Sequence, residues 1–133
     1  MPRIDDYLGK VLERRASDLH FLAGDPPRIR VYGELTPLEP EPLAADFVKE
    51  TLYEIMPKAA LQRFEQHDGA DFAYTMADLG RFRVNVMRHL NGMGAVMRSI
   101  PSKALSMDDL KLPEAVRQLS RATNGLILVT GKT

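Results

Sequence analysis

Apolar residues recur at helical spacing at Ile4, Leu8, Val11 and Leu12, with Asp5 and Asp6 where the first turn would favour acid. The spacing predicts a helix over 3–16. Residues 18–22 then alternate, with Leu19 and Phe21 on one side and Asp18 and His20 on the other, the pattern of a half-buried strand. Gly24-Asp25-Pro26-Pro27 is turn chemistry. Alternation resumes over 28–32, with Ile29 and Val31 inward and Arg28 and Arg30 outward. A turn at Gly33-Glu34 leads into a short strand at 35–38. Three prolines (Pro37, Pro40, Pro42) mark a loop. Amphipathic stretches at 44–56 and 58–67 predict two helices separated by Pro57. Gly69 breaks the second, and a strand follows at 71–76.

Residues 80–90 and 93–100 predict a hairpin around Asn91-Gly92, a strong two-residue turn signal. Short helical pieces are expected at 105–112 and 114–122. Asn124-Gly125 then turns into Leu126–Thr130, which is apolar on both sides. Helix, strands, helices, hairpin, helix and strand in that order define an α+β fold with a mostly antiparallel sheet and flanking helices. The last strand suits a parallel α/β sheet buried on both faces. The expected organisation is one α+β domain over 1–123, with the first strand of a further domain over 124–133.

Composition narrows the class. The 133 residues contain no Cys, which excludes disulfides and thiolate metal sites. The longest apolar run, Leu126–Val129, is far shorter than the roughly 20 residues a membrane helix needs. Asp5 and Asp6 stand where an export signal would be apolar, so a cytoplasmic setting is expected. Net charge is zero, from 18 Lys and Arg against 18 Asp and Glu, but it is unevenly spread. Residues 1–66 carry −3 and residues 67–133 carry +3. Between 79 and 103 lie Arg81, Arg83, Arg88, Arg98 and Lys103, with no acid among them. Such an excess suits an anionic partner, or a solvated sheet face.

The hairpin concentrates this charge. With Asn91-Gly92 at its tip, Asn85 would face Arg98 and Arg83 would face Ile100. Arg81, Arg83, Asn85 and Arg98 would then share one face, and Phe82, Val84 and Val86 the other. Guanidiniums converging on one face repel unless an anion or carboxylates lie between them, and the planar fork of Arg suits phosphate oxygens. The competing expectation is pairing with Asp71 or Asp78, or plain solvation.

The C-terminal Gly131-Lys132-Thr133 invites a phosphate-loop reading. A complete loop needs G-x-x-x-x-G-K-[ST], so that several backbone N–H groups wrap the phosphates. Leu126 stands where its first Gly would be, so Lys132 is not a phosphate lysine. Gly131 either opens such a loop or is an ordinary residue after a strand. Asp18 and His20 with Ser17 lie on one strand and cannot assemble a hydrolytic triad. His67 and His89 have no spacing partner that suggests a metal site. No aromatic array stacks bases, and no nucleic-acid partner is expected.

Six segments, in order, resemble a known family. They are Ala16-Ser17-Asp18-Leu19-His20; Pro26-Pro27 followed by Arg28–Val31 and Gly33-Glu34-Leu35; Asp71-Phe72; Arg81–Asn85; Gly94–Pro101; and Gly125–Gly131. The chain is similar to the N-terminal region of PilT-type twitching-motility ATPases, within the secretion ATPase superfamily. The resemblance implies a PAS-like N-terminal domain followed by a RecA-like ATPase domain, of which only the first strand falls here. It implies a cytoplasmic homo-hexamer, peripheral to the inner membrane, that hydrolyses ATP with Mg²⁺ to retract a type IV pilus. Its partners would be the RecA-like domains of the same and neighbouring subunits and the pilus inner-membrane machinery. Nucleotide contacts then map onto Arg81, Arg83 and Arg98, with Gly131 and Thr133 at the opening of the phosphate loop; Lys132 replaces the Pro usual between them. The phosphate lysine, the Mg²⁺-binding hydroxyl and the acidic boxes fall outside these residues. The chain alone is therefore expected to be no enzyme, to need no cofactor, and to bind ATP weakly or not at all. A pilus-assembly or type II secretion ATPase, and a stand-alone PAS-like interaction module, are the alternative readings.

Overall fold

A computed structural model of the chain describes residues 1–76, 79–101 and 104–131. The chain divides into two compact units, Met1–Ser102 and Lys103–Thr133.

The first unit opens with α1 (Ile4–Glu13), which buries Ile4, Leu8 and Val11 along one stripe. It stops earlier than the apolar pattern predicts. Arg15 takes a left-handed conformation at φ 52°, and the amides of Arg15 and Ala16 donate back to the Leu12 and Val11 carbonyls. That is a Schellman cap formed without glycine, so composition did not advertise it. Strands β1 (Asp18–Leu22), β2 (Arg28–Val31) and β3 (Glu34–Pro37) follow, then α2 (Ala45–Tyr53) and α3 (Lys58–His67). Asp68 caps α3 in the left-handed region at φ 57°, and Gly69 already belongs to the next strand rather than to the break. Strands β4 (Gly69–Met76), β5 (Gly80–His89) and β6 (Gly92–Ile100) complete the unit.

The six strands form one sheet in the order β3-β2-β1-β6-β5-β4, and every paired neighbour is antiparallel. This is the expected α+β fold. Alternation then sorts the side chains by face. Leu19, Phe21, Ile29, Phe82, Val84, Val86, Ala95 and Met97 point to one side and are fully buried. They meet Ile4, Leu8, Val11, Val48, Leu52 and Phe64 from the helices in a single core. Phe21 sits at its centre, edge-on to Tyr7 with ring centroids 5.1 Å apart and 6.2 Å from the ring of Phe47. The helices cover this face, and the other face carries the polar side chains.

Two turns differ from expectation. The β2–β3 hairpin turns on Tyr32-Gly33, at φ 49° and 84°, the double left-handed geometry of a type I′ turn. The β5–β6 loop is Leu90-Asn91, not Asn91-Gly92, and Gly92 joins the ladder opposite His89. Gly92 takes φ 128°, a backbone conformation side-chain-bearing residues rarely adopt, so glycine is needed here for its backbone at the first rung of the ladder.

In the second unit α4 (Glu114–Leu119) matches part of the helix expected at 114–122. The helix expected at 105–112 is a turn. The Ser106 amide and hydroxyl donate to Asp109 Oδ2, the Asp109 amide donates to Ser106 Oγ, and Lys111 turns left-handed at φ 51°. No strand forms at 126–130 among the described residues, and Leu126, Leu128 and Val129 are exposed. A strand is completed by a ladder partner, and none pairs with this segment.

Candidate functional site

The open face of the sheet is laid out in rows across its strands. Ladder pairing sets Arg30 opposite Asp18, Asp18 opposite Arg98, and Arg98 opposite Arg83, across β2, β1, β6 and β5. The next row sets Arg28, His20, Val96, Asn85 and Asp71 side by side, ending on β4. The expected register of the hairpin is thus corrected. Arg83 faces Arg98, Asn85 faces Val96 and Arg81 faces Ile100. The loop moved by one residue, which changes partners by two positions and leaves the faces unchanged. Arg81, Arg83, Asn85 and Arg98 therefore still share one face.

Like charges directly opposite one another destabilise a sheet. Here carboxylates flank them. Arg98 Nε donates to Asp18 Oδ1 at 2.9 Å, and Arg30 Nε lies 3.5 Å from Asp18 Oδ2. Arg83 Nε lies 3.6 Å from Asp71 Oδ1, and Asn85 Nδ2 donates to Asp71 Oδ2 at 3.2 Å. Two acids, Asp18 in this row and Asp71 in the next, against Arg30, Arg83 and Arg98 leave this part of the face cationic.

The two acids differ. The Asp71 side chain is 53% exposed, whereas that of Asp18 is 5% exposed. Burial by itself would push the Asp18 carboxyl up. The Ser17 hydroxyl, donating at 2.7 Å, and the Arg98 and Arg30 guanidiniums outweigh burial and hold it below its ordinary value. Burial, together with Arg30, lowers His20 next to it. Asp18 is thus a fixed anion under the arginines. The Arg83 and Arg98 side chains remain 71% and 72% exposed, so they are paired but not sealed. Between them opens a groove of about 300 Å³ lined by Asp18, Asp71, Arg83, Asn85, Val96 and Arg98. Its chemistry suits an anion with several oxygens, because Arg98 spends only its Nε on a carboxylate, Arg83 lies 3.6 Å from one, and both keep terminal donors.

Of the residues singled out in the sequence, Arg83 and Arg98 come together here. Arg81 lies on the same face of β5, exposed, opposite Ile100 and Thr75. Gly131 is exposed in the second unit, and Lys132 and Thr133 lie outside the described residues, as does Asp78. Sequence reasoning placed Asp18 on this face but missed it as the hub, and it missed Arg30. Alternation put both residues on the polar side, but their meeting depends on β1 lying between β2 and β6.

No family model matches the chain. It is 39% identical over 130 residues to the "Type IV pilus retractation ATPase PilT" of Pseudomonas aeruginosa, which covers 98% of this chain and 38% of that protein. It is 32% identical over 129 residues to the "Type IV pilus ATPase PilU" of the same organism, covering 97% of this chain and 34% of that one. Among solved structures, a pilus retraction motor PilT with bound ADP superposes with a TM-score of 0.76 at 29% identity, over 88% of this chain and 34% of that chain. Sequence and fold together define an α+β domain of the secretion ATPase superfamily. Within it the chain belongs to the PilT-type family, where it corresponds to the N-terminal domain. The chain spans little more than a third of the length of the relatives it matches.

Proposed function

We propose that this chain is the N-terminal regulatory and interface domain of a hexameric, cytoplasmic ATPase that powers type IV pilus retraction. In this reading a RecA-like domain follows, beginning near residue 124, and grips ATP and Mg²⁺. Closure of that domain brings the nucleotide phosphates to the open sheet face. Arg83 and Arg98, with Arg81 beyond them, then stabilise phosphate charge and couple the motion to nucleotide occupancy. Partners are the RecA-like domains of the same and neighbouring subunits and the machinery at the inner-membrane base of the pilus. Among the described residues no helix is long and apolar enough to cross a membrane, which is compatible with a peripheral location.

The observation that carries this reading is the facing pair Arg83 and Arg98, exposed beside an open groove and underlain by one buried carboxylate. Two cations held opposite each other at the surface make physical sense when an anion visits them. The coding frame tests the reading. It is expected to run on past Thr133 through a complete phosphate loop ending in G-K-[ST]. A stop codon directly after Thr133 contradicts the reading and leaves a stand-alone interaction module.

A further inference from the structure

We propose that Asp18 is a positioning residue for the nucleotide site, holding Arg98 by its Nε so that the terminal nitrogens of that guanidinium are presented to phosphate; this rests on the arginine reading given above. Asp18 contacts no groove ligand in this account. Its role is transmitted through Arg98.

The geometry separates Asp18 from an ordinary surface acid. Its side chain is 5% exposed, and it sits in the middle of the sheet, opposite Arg30 on one side and Arg98 on the other. Oδ1 accepts from Arg98 Nε at 2.9 Å, and Oδ2 accepts from the Ser17 hydroxyl at 2.7 Å. Arg30 Nε stands 3.5 Å from Oδ2, and Arg30 Nη1 is spent on the Gly33 carbonyl at 2.9 Å. Arg30 therefore steadies the carboxylate while being tied to the β2–β3 turn itself. Ser17 is held in turn by backbone bonds to both neighbours, donating to the Arg30 carbonyl at 2.9 Å and accepting from the Ser99 amide at 3.0 Å. Ser17 and Arg30, which steady Asp18, are thus themselves tied to the sheet and its turn.

Arg98 is the member left with freedom. Its side chain is 72% exposed, and among the described residues its terminal nitrogens make no hydrogen bond. A long exposed arginine costs side-chain entropy to immobilise when it meets a ligand. Holding it at Nε removes part of that cost beforehand and leaves the forked end aimed over the groove. Arg83, by contrast, leans on Asp71, an exposed partner at 3.6 Å, and is expected to gain little from it. The two arginines facing each other are thus unequally prepared, and the difference is Asp18.

The test uses the full-length ATPase. Asp18→Asn keeps the size of the side chain and removes the charge. It is expected to lower kcat by about tenfold, the scale of a misplaced charge-stabilising group, with KM for ATP moved less than about threefold. In an Arg98→Ala background the same change is expected to add nothing, because the residue it positions is gone. Arg98 Nε–H exchange with solvent, followed by NMR in the present chain, is expected to be slowed at neutral pH and to quicken in Asp18→Asn. Should Asp18→Asn fail to fold, Ser17→Ala takes its place, with an expected loss of about two- to threefold that again vanishes without Arg98. A folded Asp18→Asn enzyme at wild-type kcat while Arg98→Ala is impaired overturns the positioning role and leaves the arginine reading standing. Losses that multiply in the double variant do the same. Wild-type turnover in both Arg83→Ala and Arg98→Ala overturns the arginine reading itself, and the role of Asp18 with it.

Discussion

Arg83→Ala in the full-length ATPase is expected to lower ATP turnover by about 10- to 1000-fold, reaching the scale of losing a donor aimed at developing charge. The arginine stands directly opposite Arg98 on the open sheet face, with its side chain 71% exposed beside the groove. Its only described carboxylate partner, Asp71, is also exposed and lies at 3.6 Å. Truncation therefore leaves no buried charge unpaired, and the fold should be indifferent to it. A large kinetic effect without a stability effect is the signature expected of a group that acts on the nucleotide. Steady-state hydrolysis, with thermal unfolding of the same preparation, checks both halves. Unchanged turnover removes Arg83 from this role.

The opposite signature is expected on the other face of the sheet. Phe21→Ala should destabilise the first unit by about 3–5 kcal/mol, the usual cost of deleting a fully buried aromatic ring. Phe21 is 0% exposed and packs between Tyr7 of α1 and Phe47 of α2. The ring joins both helices to β1, so its loss opens a cavity where three elements meet. Native domains hold only about 5–15 kcal/mol in total, so the variant should unfold at a much lower denaturant concentration. Urea unfolding followed by far-UV circular dichroism measures this. A loss below about 1 kcal/mol would mean that the core is organised elsewhere. Because β1 also carries Asp18 on its reverse side, this packing is what fixes the height of the carboxylate beneath the arginines.

The two faces of β1 show how much was legible in the sequence. Alternation separated Leu19 and Phe21 from Asp18 and His20, and the same rule kept Arg81, Arg83 and Arg98 together on one side. The α+β class and six strands followed from such local patterns. Register was less legible. Asn91-Gly92 is a strong turn signal, yet Gly92 spends its φ of 128° inside the ladder opposite His89, and which rung closes the hairpin is settled by how β5 and β6 pair. The end of α1 was hidden for a related reason. Its cap uses Arg15 in a left-handed conformation, a position that composition usually marks with Gly. The apolar run Leu126–Val129 has strand composition but finds no ladder partner among the described residues, because pairing is a property of two segments and not of one. Asp18 was legible as a polar strand residue, but its burial comes from Arg30 and Arg98 on the neighbouring strands. A site built across four strands emerges only when strand order is known.

The central claim is that the arginine face meets nucleotide phosphate. A structure of the full-length ATPase with a non-hydrolysable ATP analogue and Mg²⁺ measures it directly. In a closed subunit, the guanidinium of Arg83 or Arg98 is expected within hydrogen-bonding distance, about 2.7–3.2 Å, of a phosphate oxygen. If every nucleotide-filled subunit instead keeps both guanidiniums more than a Debye length, about 8 Å, from the phosphates, the account is contradicted.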